Sequence, residues 1–227
     1  MVGVLATPGG KRKAPGVLML HGFPGAEHSV DVQRALLARG IASFRLHFQG
    51  AWGSEGNYLF SGLVDQAKAG LRFLARQPGV NSRRLGVFGF SMGGWTALNL
   101  AGAAPDILTA VAVAPVGGPE MVGPSNAPFI KSHCGPVRVA SRDGLVRDFQ
   151  DSVKRYDPVK AVAKSKADIL LIHGTCDEVI PFEVSRRISA TTGVRLVRAK
   201  GADHAFLDRR PWLTKRSVDW LSRRLLG

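Results

Sequence analysis

Short apolar runs separated by longer amphipathic stretches constrain this chain more than any other feature. Val17-Leu18-Met19-Leu20 and Ile169-Leu170-Leu171-Ile172 are unbroken, the pattern of a strand covered on both faces rather than one with a wet side. Residues 2–6, 41–48, 85–90, 108–116 and 194–199 also read as strands. Between them lie helix-period segments at 29–39, 63–77, 91–103, 183–191 and 212–226; Gly40 is placed to end the first and Pro78 to end the second. Strand and helix in alternation predict an α/β fold with a mainly parallel sheet flanked by helices. At 227 residues the chain suits a single domain, with neither an internal repeat nor a second core. The rhythm fails only at 117–156, which carries several Pro and Gly. A structureless loop of that length is uncommon, so a small insertion with short helices of its own is expected there.

Charge narrows the range of partners. The chain has 31 Lys and Arg against 17 Asp and Glu, a formal net charge of +14. Nucleic acid, a membrane surface or an acidic polymer would each suit such a balance. The basic residues, however, occur mostly as scattered pairs such as Arg83-Arg84, Arg186-Arg187 and Arg223-Arg224; Lys11-Arg12-Lys13 is the one triplet. No helix-turn-helix or aromatic RNA-binding motif accompanies them, so a solvated basic surface is the expectation and a nucleic-acid partner is not. Cys134 and Cys176 show no metal-ligand spacing, and two cysteines do not make a disulfide framework. The first residues lack the basic start and the apolar core of about 7–15 residues that a secretory signal needs. No apolar run approaches the roughly 18 residues of a membrane span. A cytoplasmic protein is expected.

The chemistry concentrates in three places. Gly89-Phe90-Ser91-Met92-Gly93 is a G-x-S-x-G string between an expected strand and an expected helix. A strand-to-helix turn this sharp lifts the serine hydroxyl above the sheet edge, and a Cβ on either glycine would collide with neighbouring backbone. The turn also puts the Met92 N–H at a helix N-terminus, where it can stabilise an oxyanion. Standing alone, the string is equally a plain turn with Ser91 as N-cap. Downstream, the strand 169–173 runs into a loop holding Asp177, and Gly201-Ala202-Asp203-His204 follows the next strand. Serine, then acid, then histidine, each past the carboxyl end of a parallel strand, is the order and location of a catalytic triad in an open α/β sheet. Upstream, His21-Gly22-Phe23-Pro24-Gly25 leaves the first long strand as a Gly-rich loop, where the Phe23 N–H can serve as a second oxyanion donor and His21 braces the loop.

These blocks, with Arg45-Leu46-His47-Phe48-Gln49-Gly50-Ala51-Trp52-Gly53-Ser54-Glu55-Gly56 and His173-Gly174-Thr175-Cys176-Asp177-Glu178-Val179-Ile180-Pro181, resemble the α/β-hydrolase superfamily. The likeness is greatest to its small esterase branch: dienelactone-hydrolase-like enzymes, cinnamoyl and feruloyl esterases, and prolyl-oligopeptidase catalytic domains. It implies a serine esterase with Ser91 as nucleophile, His204 as base and Asp177 as the acid. Backbone N–H groups of Phe23 and Met92 would form the oxyanion hole, a cap would be inserted at about 117–156, and neither metal nor organic cofactor would be needed. Glu178 and Asp203 are rival acids. The resemblance assigns the loop position of Asp177, and Asp203 adjoins His204, so that its side chain diverges. Gln49 stands where the related loop often has Arg. The expected partner is a small-molecule ester with a short acyl chain or a small aromatic group. Phe129, Phe149 and Tyr156 are the aromatic residues of the insertion, Trp52 and Trp95 lie near the pocket in sequence, and Trp95 suits the core. Two other readings share the scaffold: a peptidase acting on short or N-blocked peptides, and a non-catalytic anion-binding protein.

Overall fold

Among the described residues seven strands form one sheet in the order β1-β3-β2-β4-β5-β6-β7. They are β1 (Gly3–Ala6), β2 (Ala14–Leu20), β3 (Ala42–Leu46), β4 (Val80–Phe90), β5 (Ile107–Val113), β6 (Asp168–Gly174) and β7 (Arg195–Ala199). The structure is a computed structural model and describes residues 1–10, 12–25 and 29–227; of the basic triplet, Lys11 lies outside them. β1 runs antiparallel to β3, and every other neighbouring pair is parallel. This is the α/β-hydrolase fold.

The unbroken apolar runs have a direct physical cause. Leu18 and Leu20 face one core, with Leu71 and Leu74 of α2 (Leu63–Ala75) and Leu98 of α3 (Met92–Ala103). Val17 and Met19 face the other core, with Val32 and Leu36 of α1 (Val30–Ala38) and Leu213 and Leu221 of the C-terminal helix. Side chains alternate across a strand, so a sheet covered on both faces needs an apolar residue at every position. Each such side chain contributes roughly 1.5–3 kcal/mol relative to exposure. β4 starts five residues before the expected 85, because its opening stretch, Asn81 to Arg84, is polar and not buried and so gives no apolar signal.

Register brings the loops after several strands to one edge. Leu20 pairs with Gly89, Phe90 with Val113, and Val113 with Ile172. The carboxyl ends of β2, β4, β5 and β6 are therefore level, and the loops after them open together.

Beyond β5 the chain makes a 3-10 turn (Pro119–Met121), then α4 (Asn126–His133), α5 (Arg142–Arg155) and α6 (Pro158–Lys164). α5 is longer than the composition suggests. Leu145, Phe149 and Val153 recur every fourth residue on its buried face. Ser141 Oγ accepts the Gly144 N–H at 3.2 Å at its start, while Lys154 and Arg155 sit in its last turn, where cations suit the helix dipole. The chain then returns to the sheet through β6, α7 (Phe182–Thr192), β7 and α8 (Arg210–Leu226).

Candidate active site

Ser91 occupies the turn between β4 and α3 with φ 55° and ψ −119°. A residue with a Cβ adopts such a backbone only where its surroundings impose it. Here the surroundings do: Ser91 N–H donates to Val113 O at 2.8 Å, and Trp95 N–H donates to Ser91 O at 3.0 Å. The flanking glycines are demanded by space. A Cβ on Gly89 would run into the Gly93 carbonyl, and one on Gly93 into the Leu20 carbonyl.

Asp177 follows β6, and its side chain is wholly buried. Oδ1 accepts the backbone N–H groups of Val179 at 2.9 Å and Ile180 at 2.8 Å. Oδ2 lies 2.7 Å from Nδ1 of His204 and 3.2 Å from Nε2 of His173. Burial pushes this carboxyl up, but the hydrogen bonds from His173 and His204, the nearby His204 charge and the Ile180 N–H outweigh it. They hold Asp177 well below the usual carboxylate range. It is therefore an anion at any pH where the protein would work.

His204 lies on the loop after β7. That loop is tied to the acid loop by Cys176 N–H to Ala202 O at 3.0 Å and Gly201 N–H to Thr175 Oγ1 at 2.8 Å. Nδ1 faces a carboxylate and so carries the proton, which leaves Nε2 of the neutral ring as a proton acceptor. Ser91 and His204 line the same cavity, with no direct hydrogen bond between them among the described residues. In unliganded sites such bonds are often long and close when substrate binds. Among the described residues neither rival acid bonds His204: Asp203 Oδ1 accepts the Leu207 N–H at 3.3 Å, and Glu178 lines the same cavity without reaching the ring.

Phe23 and Met92 also line this cavity, and among the described residues no backbone carbonyl takes either amide. Behind Phe23, the buried His21 accepts the Phe48 N–H at Nε2 over 3.2 Å, so its Nδ1–H donates to Gly22 O at 2.8 Å. His21 fixes two backbone segments and is a brace. Gln49 pairs reciprocally with Gln66 of α2, through its N–H at 2.8 Å and its side-chain oxygen at 3.3 Å.

The cavity measures about 670 Å³, and most of its wall is apolar. Phe23, Phe60, Phe129 and Phe149 line it, with Phe60 ring centroids 5.2 Å from Phe23 and 5.1 Å from Phe149. Of the aromatic residues named from sequence, Phe129 and Phe149 are here. Tyr156 packs against the buried Trp95 instead, and Trp52 donates its Nε1–H to Gly25 O at 2.6 Å. Sequence reading missed Phe60 and His173. Asp148 of α5 accepts the Phe60 N–H at 2.6 Å and the Ser61 N–H at 3.2 Å, a contact across 88 residues that no local pattern encodes. His173 carried a signal, a histidine inside an otherwise apolar strand run, but it was read as part of the strand.

Among the described residues no group of three His, Cys, Asp or Glu is placed to hold a metal ion, and no helix is long and apolar enough to cross a membrane.

Residues 29–226 match the prolyl oligopeptidase family. The chain belongs to that family. Membership agrees with the α/β-hydrolase fold of the sheet and its flanking helices. The curated relatives are uncharacterized proteins from two strains of Mycobacterium tuberculosis, 27% identical over 201 residues; the alignment covers 87% of this chain and 65% of theirs. The chain thus spans just under two thirds of those relatives. Among solved structures, Est1E from Butyrivibrio proteoclasticus, described with ferulic acid bound, superposes with a TM-score of 0.81 at 21% identity, covering 100% of this chain and 96% of Est1E. A puromycin-hydrolyzing peptidase of Mycobacterium tuberculosis gives 0.77 at 16% identity, covering 98% of this chain and 37% of the peptidase. At these identities the likeness is one of fold.

Proposed function

We propose that this member of the prolyl oligopeptidase family hydrolyses carboxylic esters with short acyl or small aromatic groups, using Ser91, His204 and Asp177 as a catalytic triad. One observation carries the reading: a strained serine and a carboxylate-anchored histidine open onto one apolar cavity. Ser91 Oγ attacks the ester carbonyl while His204 Nε2 takes its proton, and Asp177 steadies the imidazolium that forms. The Phe23 and Met92 amides receive the oxyanion. His204 returns the proton to the departing alcohol, then activates the water that releases the acid. α4 and α5 act as a small cap supplying Phe129 and Phe149. Four aromatic rings in a cavity of about 670 Å³ favour a flat or compact acyl group over a long lipid chain. The ferulic acid held by Est1E supports an aromatic acyl group.

Family membership supports a second reading, an amidase or peptidase acting on short or N-blocked peptides with the same residues. One assay separates the two. A p-nitrophenyl ester series from acetate to palmitate is run beside matched p-nitroanilides, with wild type and Ser91→Ala. Esters turned over, fastest at short chains, with a dead mutant supports the esterase. Anilides turned over in preference to esters selects the peptidase. Hydrolysis surviving in Ser91→Ala removes both.

A further inference from the structure

We infer that His173 is a positioning residue for this reaction: its Nε2–H, oriented by Ser185, pins the Asp177 carboxylate in the pose that orders His204. The inference rests on the Ser91–His204–Asp177 reading and adds a residue outside the triad.

His173 sits in β6 four residues before Asp177 and is wholly buried. Its Nε2 lies 2.9 Å from the Ile180 carbonyl and 3.2 Å from Asp177 Oδ2. Both partners only accept, so Nε2 must carry a proton. Its Nδ1 lies 2.7 Å from Ser185 Oγ, on the buried face of α7. A hydroxyl can donate or accept, and donating to a bare Nδ1 satisfies every polar group of the trio with the fewest protons. Ser185 thereby reinforces the tautomer that the two acceptors require, and that tautomer sets the acid's orientation.

The carboxylate needs such a partner. Its Oδ1 is held by two backbone amides, but Oδ2 is shared by two imidazoles, and one of these, His204, gains and loses a proton at its far nitrogen, Nε2, during the reaction. His173 is the fixed donor. Without it, a buried anion would depend at Oδ2 on a group that is protonated and deprotonated twice in each turnover. The same ring grips Ile180 O, closing the 177–180 turn that also presents Ile180 to the cavity. One buried side chain thus couples the acid to the wall.

Three variants and one spectrum test this. His173→Leu removes the donor, His173→Gln restores an N–H near the Nε2 position, and Ser185→Ala leaves the ring but frees its tautomer. Each is assayed on p-nitrophenyl acetate with its melting temperature recorded, beside Ser91→Ala. His173→Leu should lower kcat about 10- to 100-fold, the range of a hydrogen bond to a charged group, with KM nearly unchanged. Protonated His204 would then be held less well, so the acid limb of kcat/KM should move to lower pH. His173→Gln should return both most of the way, and Ser185→Ala should fall between. Independently of any mutant's folding, ¹⁵N NMR of the wild-type ring should show protonated Nε2 and bare Nδ1.

The opposite tautomer overturns the inference. So does a His173→Leu enzyme with unchanged kcat and acid limb, or one whose loss follows melting temperature and is not recovered by Gln. A live Ser91→Ala would instead remove the triad reading beneath it.

Discussion

The carboxyl edge of the sheet and the helical segment that follows β5 build one cavity by opposite means. At the edge, backbone geometry dictates residue identity. Ser91 tolerates φ 55° because Val113 and Trp95 hold its backbone, and Gly89 and Gly93 stand where carbonyls leave no room for a Cβ. In α4 and α5 the requirement is only apolar bulk on one face, met by Ile130, Leu145 and Phe149. On the proposed function, chemistry is thus fixed by a few positions that accept one residue, and selectivity by many that accept several. Substitutions at the edge should abolish turnover on every substrate, whereas substitutions in the helices should change which substrate is preferred.

The largest effect expected is for Ser91→Ala, a loss of kcat of about 10⁶-fold on all esters with the fold intact. A mutant retaining even a hundredth of wild-type rate would break the comparison at its strongest point. Asp177→Asn should cost about 10⁴-fold, because an amide cannot accept the Nδ1–H and steady an imidazolium as a carboxylate does. Glu178→Gln and Asp203→Asn should each stay within about threefold, lacking a bond to His204 whose loss would cost a charge-assisted contact. A dead Glu178→Gln beside a live Asp177→Asn would reassign the acid.

These two outcomes concern residues that were legible in the sequence, and the reason is physical. Gly-x-Ser-x-Gly is readable because sterics forbid alternatives, and the strand runs are readable because two cores demand apolar residues without a gap. Asp177 could be named over its neighbours because the related loop places the acid there, and His204 because it follows the next strand at the same sheet edge. The insertion was legible as an interruption with short helices of its own, but not in the bounds or contacts of those helices. Phe60 reaches the cavity because Asp148 grips its backbone from α5, and sequence offers no spacing rule for such a contact. Tyr156 and Trp52 looked like wall residues by proximity along the chain, yet one packs on Trp95 and the other ties down Gly25. His173 hid in plain view, since a histidine within a buried strand declares its partners only when the next helix, with Ser185, is in place.

Phe129→Ala probes the other side of the comparison. Phe129 is 36% exposed and stacks on His133 with ring centroids 4.2 Å apart, so its removal opens the wall without hollowing the core. For aromatic esters kcat/KM should fall about tenfold, the scale on which apolar pockets discriminate, and acetate should change about twofold at most. Equal losses on both substrates would mean that α4 supports the triad rather than the substrate, and the division between edge and wall would be wrong.

The smallest effect lies away from the cavity, where neither regime applies. Asp31 of α1 accepts from Arg210 Nη2 at 2.6 Å, Arg210 Nε at 3.1 Å and Thr214 Oγ1 at 2.6 Å, tying α1 to α8. Partial burial pushes its carboxyl up, but the Arg210 and Thr214 bonds, the Arg210 charge and the Val32 N–H bring it below the ordinary value. A carboxyl depressed in the folded state stabilises it above the unfolded carboxyl range, and that contribution disappears as pH falls through the folded value. The Asp31 side chain is 38% exposed, so solvent screens the pair and Asp31→Asn should cost no more than about 1 kcal/mol. Urea unfolding at neutral pH should show that cost in full, and the gap to wild type should narrow below about pH 4, where unfolded carboxyls protonate. kcat should not move. A rate change in Asp31→Asn would mean that the α1–α8 contact reaches the loop before α1, which carries the proposed oxyanion donor Phe23, and that the proposed reactive edge extends further into the fold than its own loops.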